Sequence, residues 1–148
     1  MKFIADVMLG RLAKRLRLQG FDVLYDRTLD DNEIVRLSLE QDRVVLTRDL
    51  ELAARPLAAN RLVILSDHVR EQFEQVLAAF RLETQSSPLT RCSLCNETLK
   101  DISKVEAKDL VPSHVFEQTG NFLRCPRCGR IYWRGTHVRR MKLQVKRD

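Results

Sequence analysis

The stretch Phe3-Ile4-Ala5-Asp6-Val7-Met8-Leu9-Gly10-Arg11-Leu12-Ala13-Lys14-Arg15-Leu16 joins a short apolar run to a helix-period segment through a single acid. Leu9, Leu12, Ala13 and Leu16 share one helical face between Met8 and Leu18, and Gly20 stops the helix. The same unit recurs as far as residue 85. Val23-Leu24-Tyr25 precedes a helix over residues 31–41, with Ile34, Leu37 and Val35 turned inward. Val44-Val45-Leu46 precedes a short helix around Leu50 to Arg55, next to the helix-ending Pro56. Leu62 to Leu65 precedes a helix from Val69 to Phe80, with Phe73, Val76, Leu77 and Phe80 on its apolar side. Continuously apolar strands between amphipathic helices predict an α/β fold, an open parallel sheet with helices on both faces. Strand–helix repetition gives right-handed crossovers and a doubly wound sheet.

An acid follows every apolar run. Asp6 comes after the first, Asp30 and Asp31 open the helix after the second, Asp49 closes Thr47-Arg48-Asp49 after the third, and Asp67 follows the fourth. Ligands of open parallel sheets bind outside the carboxyl ends of the strands. Asp6 and Asp49 are therefore expected on one edge, joined by Asp30 or Asp31. Aspartate is also a favoured helix N-cap, and Asp30-x-x-Glu33 has the outline of a capping box. Capping does not explain why Asp was used after all four runs rather than Ser or Thr. Carboxylates gathered on one edge repel unless a cation lies among them, and hard oxygen ligands suit Mg²⁺ or Mn²⁺. Such a centre performs metal-assisted phosphoryl chemistry. Arg11, Lys14 and Arg15 on the first helix and Arg48 beside Asp49 are candidates for holding a polyanion, with Arg48 the first choice.

Other phosphate chemistries fit poorly. The chain has five glycines and no Gly-rich phosphate loop. Met8 stands where an aspartyl-nucleophile phosphatase usually carries a second acid. No Ser/His/Asp or Cys/His arrangement is evident, and His68 beside Asp67 has no nucleophile partner in the sequence.

The four cysteines form two Cys-x-x-Cys pairs, Cys92/Cys95 and Cys125/Cys128, lying 29 residues apart. Two such turns complete a tetrahedral sulfur shell for Zn²⁺. Gly129 is free to adopt a left-handed conformation just past the last ligand. Residues 121–124 and 130–133 read as the strands of a ribbon hairpin. Disulfides would need an oxidising compartment, for which the sequence carries no signal. A closed four-sulfur shell leaves no position for water, so this zinc is expected to be structural. His114 and His137 are not needed as ligands.

The net charge of +6 is uneven, with −1 over residues 1–88 and +7 over residues 89–148. A basic small module suggests a polyanion partner. No apolar run approaches the length of a membrane span, and an acid interrupts the N-terminus at Asp6, so no membrane association and a cytoplasmic location are expected.

These residues carry a resemblance. Phe3-Ile4-Ala5-Asp6-x-Met8-Leu9-Gly10-Arg11-Leu12-Ala13, Leu16-Arg17-Leu18-x-Gly20-x-Asp22, Asp30-Asp31 with Glu33, and Leu46-Thr47-Arg48-Asp49 with Glu51-Leu52-Ala53 resemble a PIN-like ribonuclease domain with zinc ribbon. That family was first noted at the C-terminus of Mut-seven type exonucleases. The likeness continues through Arg91-Cys92-x-x-Cys95-Asn96, Val111-Pro112 and Phe122-x-x-Cys125-x-x-Cys128-Gly129-x-x-Tyr132-Trp133-x-Gly135-x-His137 to Met141, with Thr136 where the family usually has Ser. It implies a PIN-like nuclease domain over 1–85 and a zinc ribbon over 86–148. It further implies that Asp6, Asp30 or Asp31, and Asp49 hold Mg²⁺ or Mn²⁺ and cleave RNA. Two other readings remain open: an RNA- or ribosome-binding adaptor whose acids only cap helices, and a toxin-like ribonuclease held by a protein partner. Tyr132, Trp133, Arg134 and His137 would either grip an unpaired nucleotide or, for Trp133, pack over the metal knuckle. Oligomeric state is left open.

Overall fold

The structure is a computed structural model that describes residues 1–134; Gly135, Thr136, His137 and Met141, named above, lie outside the described residues. The first strand, β1 (Lys2–Ala5), leads through a turn of 3-10 helix (Val7–Leu9) into α1 (Gly10–Leu18). Then come β2 (Asp22–Leu24), α2 (Asp31–Gln41), β3 (Val44–Thr47), α3 (Leu50–Ala53), a second 3-10 turn (Pro56–Ala58), β4 (Arg61–Val63) and α4 (Val69–Phe80). The four strands form one parallel sheet in the order β2-β1-β3-β4.

The fold follows from residues that alternate between two faces. Phe3, Ala5, Val44 and Leu46 meet Leu9, Leu12, Ala13 and Leu16 of the first helical segment and Phe73, Val76 and Leu77 of α4. Ile4 and Val45 point the other way, onto Ile34 and Val35 of α2, Leu52 of α3 and Ala58. Two cores thus sandwich the sheet, which is why its central strands β1 and β3 read as continuous apolar runs.

Two strands, β2 and β4, end earlier than the sequence expectation. Strand β2 starts at Asp22, whose backbone pairs with Lys2, and ends before Tyr25. The Tyr25 hydroxyl instead donates to the Val7 carbonyl at 2.9 Å. Strand β4 stops at Val63; Ile64 N–H still donates to Thr47 O at 2.8 Å, but Leu65 turns outward and is 77% exposed.

The C-terminal part holds a second sheet of β5 (Lys100–Ile102), β6 (Phe122–Arg124) and β7 (Ile131–Trp133), all antiparallel. The expected hairpin is β6–β7. Strand β5 and the short helices α5 (Lys104–Ala107) and α6 (Ser113–Gln118) between the cysteine pairs were not expected. They carry too few apolar residues to show a period. A small core of Leu89, Cys92, Leu99, Cys125 and Tyr132 packs against Leu18 of α1.

Residues 82–90, between the two parts of the chain, are strapped to the end of α1. Ser87 N–H donates to Gln19 O at 2.8 Å and Leu89 N–H to Leu18 O at 3.0 Å. Gly20 permits this approach: its φ is +94°, and a Cβ there would lie 2.5 Å from the Ser87 carbonyl oxygen.

Candidate acidic centre and four-cysteine site

The connection after β1 runs toward β2 on one side, while β3 pairs on the other side of β1, so the β1/β3 boundary is the topological switch point. Asp6 directly follows β1 there and is 4% exposed. Its Oδ1 accepts from Met8 N–H at 2.8 Å. Its Oδ2 accepts from the Thr47 hydroxyl and from Arg48 N–H. Across the boundary, Asp49 caps α3, its Oδ1 accepting from Glu51 N–H at 2.9 Å and Leu52 N–H at 3.4 Å. Thr47 joins the two acids: its Oγ1 donates to Asp6 and accepts from Asp49 N–H at 2.9 Å.

Asp6, Asp49 and Asp31 line one concavity of about 60 Å³, closed by Val7, Met8, Leu29 and Ile34. Asp31 enters it from the first turn of α2. Its neighbour Asp30 does not line it: Asp30 forms the capping box, accepting from Glu33 N–H at 2.8 Å while its own N–H donates to Glu33 Oε2 at 2.8 Å. The N-cap holds its side chain back over the helix end, whereas the next residue is free to face the sheet. Asp67 is 75% exposed, with His68 Nε2 3.6 Å away, and takes no part in the concavity. Capping and convergence therefore coexist in Asp6 and Asp49.

Of the basic candidates, Arg11 and Lys14 are exposed and Arg48 is half-buried, and none of the three lines the concavity. Arg48 reaches the acids through its backbone N–H. Arg15 lies over the Phe73 ring at 4.8 Å, a packing position in the α1–α4 core. Sequence reading missed Arg55, whose guanidinium stands 3.9 Å from Asp31 Oδ2 and donates to Asn32 Oδ1 at 2.6 Å. It also missed Thr47. Its role becomes visible only once β1 and β3 have packed: a fully buried hydroxyl between two acids needs partners for both its proton and its lone pairs.

At the other site, the ligand atoms of Cys92, Cys95, Cys125 and Cys128 all lie within 4.8 Å of one another, positioned to hold a metal ion. The three carboxylates are not gathered to that degree among the described residues. No disulfide joins any of the four. The Cys92 and Cys128 sulfurs are 3.7 Å apart, close to the edge of about 3.8 Å that a tetrahedron with ~2.3 Å Zn–S bonds would have. The two knuckles repeat one geometry. Cys92 N–H donates to Glu97 O at 2.8 Å and Cys125 N–H to Arg130 O at 2.9 Å. Asn96 (φ 65°) and Gly129 (φ 78°) take the left-handed turn just past each pair.

The donor set suits a cation on electrostatic grounds as well. Burial pushes the Cys92 thiol up, but hydrogen bonds from the Tyr132 hydroxyl and from backbone amides bring it down to about 7. Burial and the neighbouring sulfurs push Cys95 up to about 12. One thiolate thus forms readily and opposes the next, a conflict that a divalent cation removes. Tyr132 is buried, 3.2 Å from Cys92 Sγ, and accepts from Ser93 N–H at 3.0 Å. It supports the sulfur shell and is not available for stacking on a nucleotide. Trp133 is half-buried.

A parallel α/β sheet with three acids lining one concavity at its switch point, together with four cysteines positioned to hold a metal ion, defines an α/β protein with a zinc-ribbon-like C-terminal part. The chain belongs to the Mut7-C RNAse domain family, which matches residues 1–145. Membership supports a ribonuclease-like function with RNA as the implied substrate. No curated protein and no solved structure matches the chain. No helix among the described residues is long and apolar enough to cross a membrane.

Proposed function

We propose that this protein is a metal-dependent ribonuclease whose catalytic Mg²⁺ or Mn²⁺ is held by Asp6, Asp31 and Asp49, with residues 1–85 as nuclease domain and residues 86–148 as a structural zinc ribbon contacting RNA. The observation that carries this reading is the shared concavity of the three acids at the switch point. A bound divalent ion there would supply Lewis-acid stabilisation of charge on the phosphodiester and activation of water. The chain's own part is to pre-orient the acids. Thr47 and the backbone N–H groups of Met8 and Arg48 fix both Asp6 oxygens, while Asp49 is anchored through Oδ1. Asp31 is the adjustable member, its nearest cation a half-exposed Arg55.

Purified protein should cut single-stranded or structured RNA with Mn²⁺ or Mg²⁺ and stop with EDTA. Asp49→Asn is the cleaner variant, because an amide oxygen still accepts the two capping bonds; cleavage should drop about 100-fold or more with unchanged melting. Asp6→Asn puts an amide donor against Thr47 or against backbone N–H groups, so it should lose both activity and stability. Full cleavage by Asp49→Asn and Asp31→Asn would exclude this centre. RNA binding with no cleavage under either metal would favour the adaptor reading.

A further inference from the structure

A second cleft lies on the same edge of the molecule. It measures about 460 Å³ and runs between the end of β2 and the first cysteine knuckle, lined by Arg17, Tyr25, Asp26, Asn96 and Arg127 among others. Because the sheet is parallel, the end of β2 shares the rim on which Asp6 and Asp49 stand. Tyr25 is the partition between the two spaces. Tyr25 lines the cleft and is partly buried against the first core, while its hydroxyl is bonded to Val7, a residue of the acidic concavity.

The walls have a definite chemistry. Arg17 is 4% exposed, its guanidinium held by Val23 O at 2.9 Å and by the knuckle carbonyls of Ser93 and Leu94, each at 3.1 Å. Arg127 stands at the open side, 70% exposed. The two acids of the cleft are engaged: Asp26 Oδ1 accepts from Thr28 N–H and Oγ1, and Glu97 lies 4.0 Å from Arg127. Asn96 is committed at both ends, its Oδ1 accepting from Val23 N–H at 3.1 Å and its Nδ2 donating to Asp22 at 2.7 Å. An aromatic side chain, an exposed Arg127 whose only ion-pair partner among the described residues stands 4.0 Å off, and an Asn96 amide already committed suit a stacked base with its phosphate, without reading of the base edge. The volume lies within the roughly 300–1,000 Å³ range of small-ligand sites.

We propose that this cleft is the subsite for an unpaired nucleotide flanking the scissile phosphodiester, its base against Tyr25 and its phosphate toward Arg127. The proposal rests on the ribonuclease reading and adds to it that the substrate is single-stranded at this position and tolerated in any base. A base in a duplex would already be stacked and paired.

The test uses the full zinc-loaded chain and a fluorescein-labelled, 4-thiouridine-containing single-stranded oligonucleotide without Mg²⁺ or Mn²⁺. Tyr25→Ala and Arg127→Glu should each weaken binding about tenfold, Tyr25→Phe should bind as the parent does, and photo-crosslinks should map to peptides holding Tyr25 or Arg127. A fully paired form of the same sequence should bind at least about tenfold more weakly. Arg127 is exposed, so Arg127→Glu with full zinc content carries the test even if Tyr25→Ala unfolds. Binding by Arg127→Glu within about twofold of the parent, with crosslinks mapping elsewhere, overturns the proposal. Binding through the cleft without cleavage in any metal would instead remove the ribonuclease reading and leave the cleft in place.

Discussion

Asp22 shows how much one side chain can join. Its Oδ1 accepts from Arg43 Nη1 at 2.7 Å and from Asn96 Nδ2 at 2.7 Å, and Arg91 lies 4.0 Å from its Oδ2. Arg43 in turn donates to Phe3 O at 3.0 Å, so the start of β1, the start of β2 and the knuckle meet at one carboxylate. Burial alone would raise the pKa of Asp22, but the hydrogen bonds from Arg43 and Asn96 and the charges of Arg43 and Arg91 hold it below the usual carboxylate value. A folded-state pKa below the unfolded value means stability that is present above about pH 4 and lost as pH falls through the lowered value. Asp22→Asn should therefore be less stable than the parent in urea at pH 7, with the gap closing below about pH 4. An equal gap at both pH values would mean that Asp22 acts through packing and not through its charge.

Among the elements, the edge strand β2 and the first knuckle depend most on each other. β2 is three residues long and has a strand neighbour on one side, β1. On its outer side Val23 N–H is taken by Asn96 and Val23 O by Arg17, which also carries two knuckle carbonyls. The knuckle thus blunts an edge that would otherwise present unpaired backbone groups. Its own shape depends on the sulfur shell, because few large apolar residues hold it. Chelation of the ribbon metal should raise amide hydrogen exchange at β2 and in the connection to α2, as well as in residues 92–96. The inner strand β3 should change far less. Exchange confined to the ribbon would show that the knuckle merely rests on the sheet.

For the whole molecule, the uneven charge sets how a polyanion is met. The acidic concavity belongs to the part with net −1, and the ribbon part carries +7. Pairing of cations with phosphates releases counterions, so binding should weaken steeply with salt. Neutralising exposed ribbon cations, Lys100→Gln with Arg130→Gln, should reduce the slope of log Kobs against log salt by about 0.7 for each single-strand phosphate left unneutralised. An unchanged slope would show that this face does not meet RNA.

Much of this was legible in the chain itself. Short-range patterns determined the parallel α/β sheet: the apolar runs at Phe3 and Val44, the helical faces at Leu9–Leu16 and Phe73–Phe80, and the stop at Gly20 all act within a few residues. The paired Cys-x-x-Cys turns determined the sulfur site, since each turn builds half of the shell locally. Tertiary structure decided the rest. It separated Asp31 from Asp30, placed Thr47 between two acids, withdrew Tyr132 from the surface, and set the knuckle on β2 through Arg17 and Asn96. Each of those outcomes depends on where a side chain points once distant segments have packed, and local period carries no information about partners some seventy residues away.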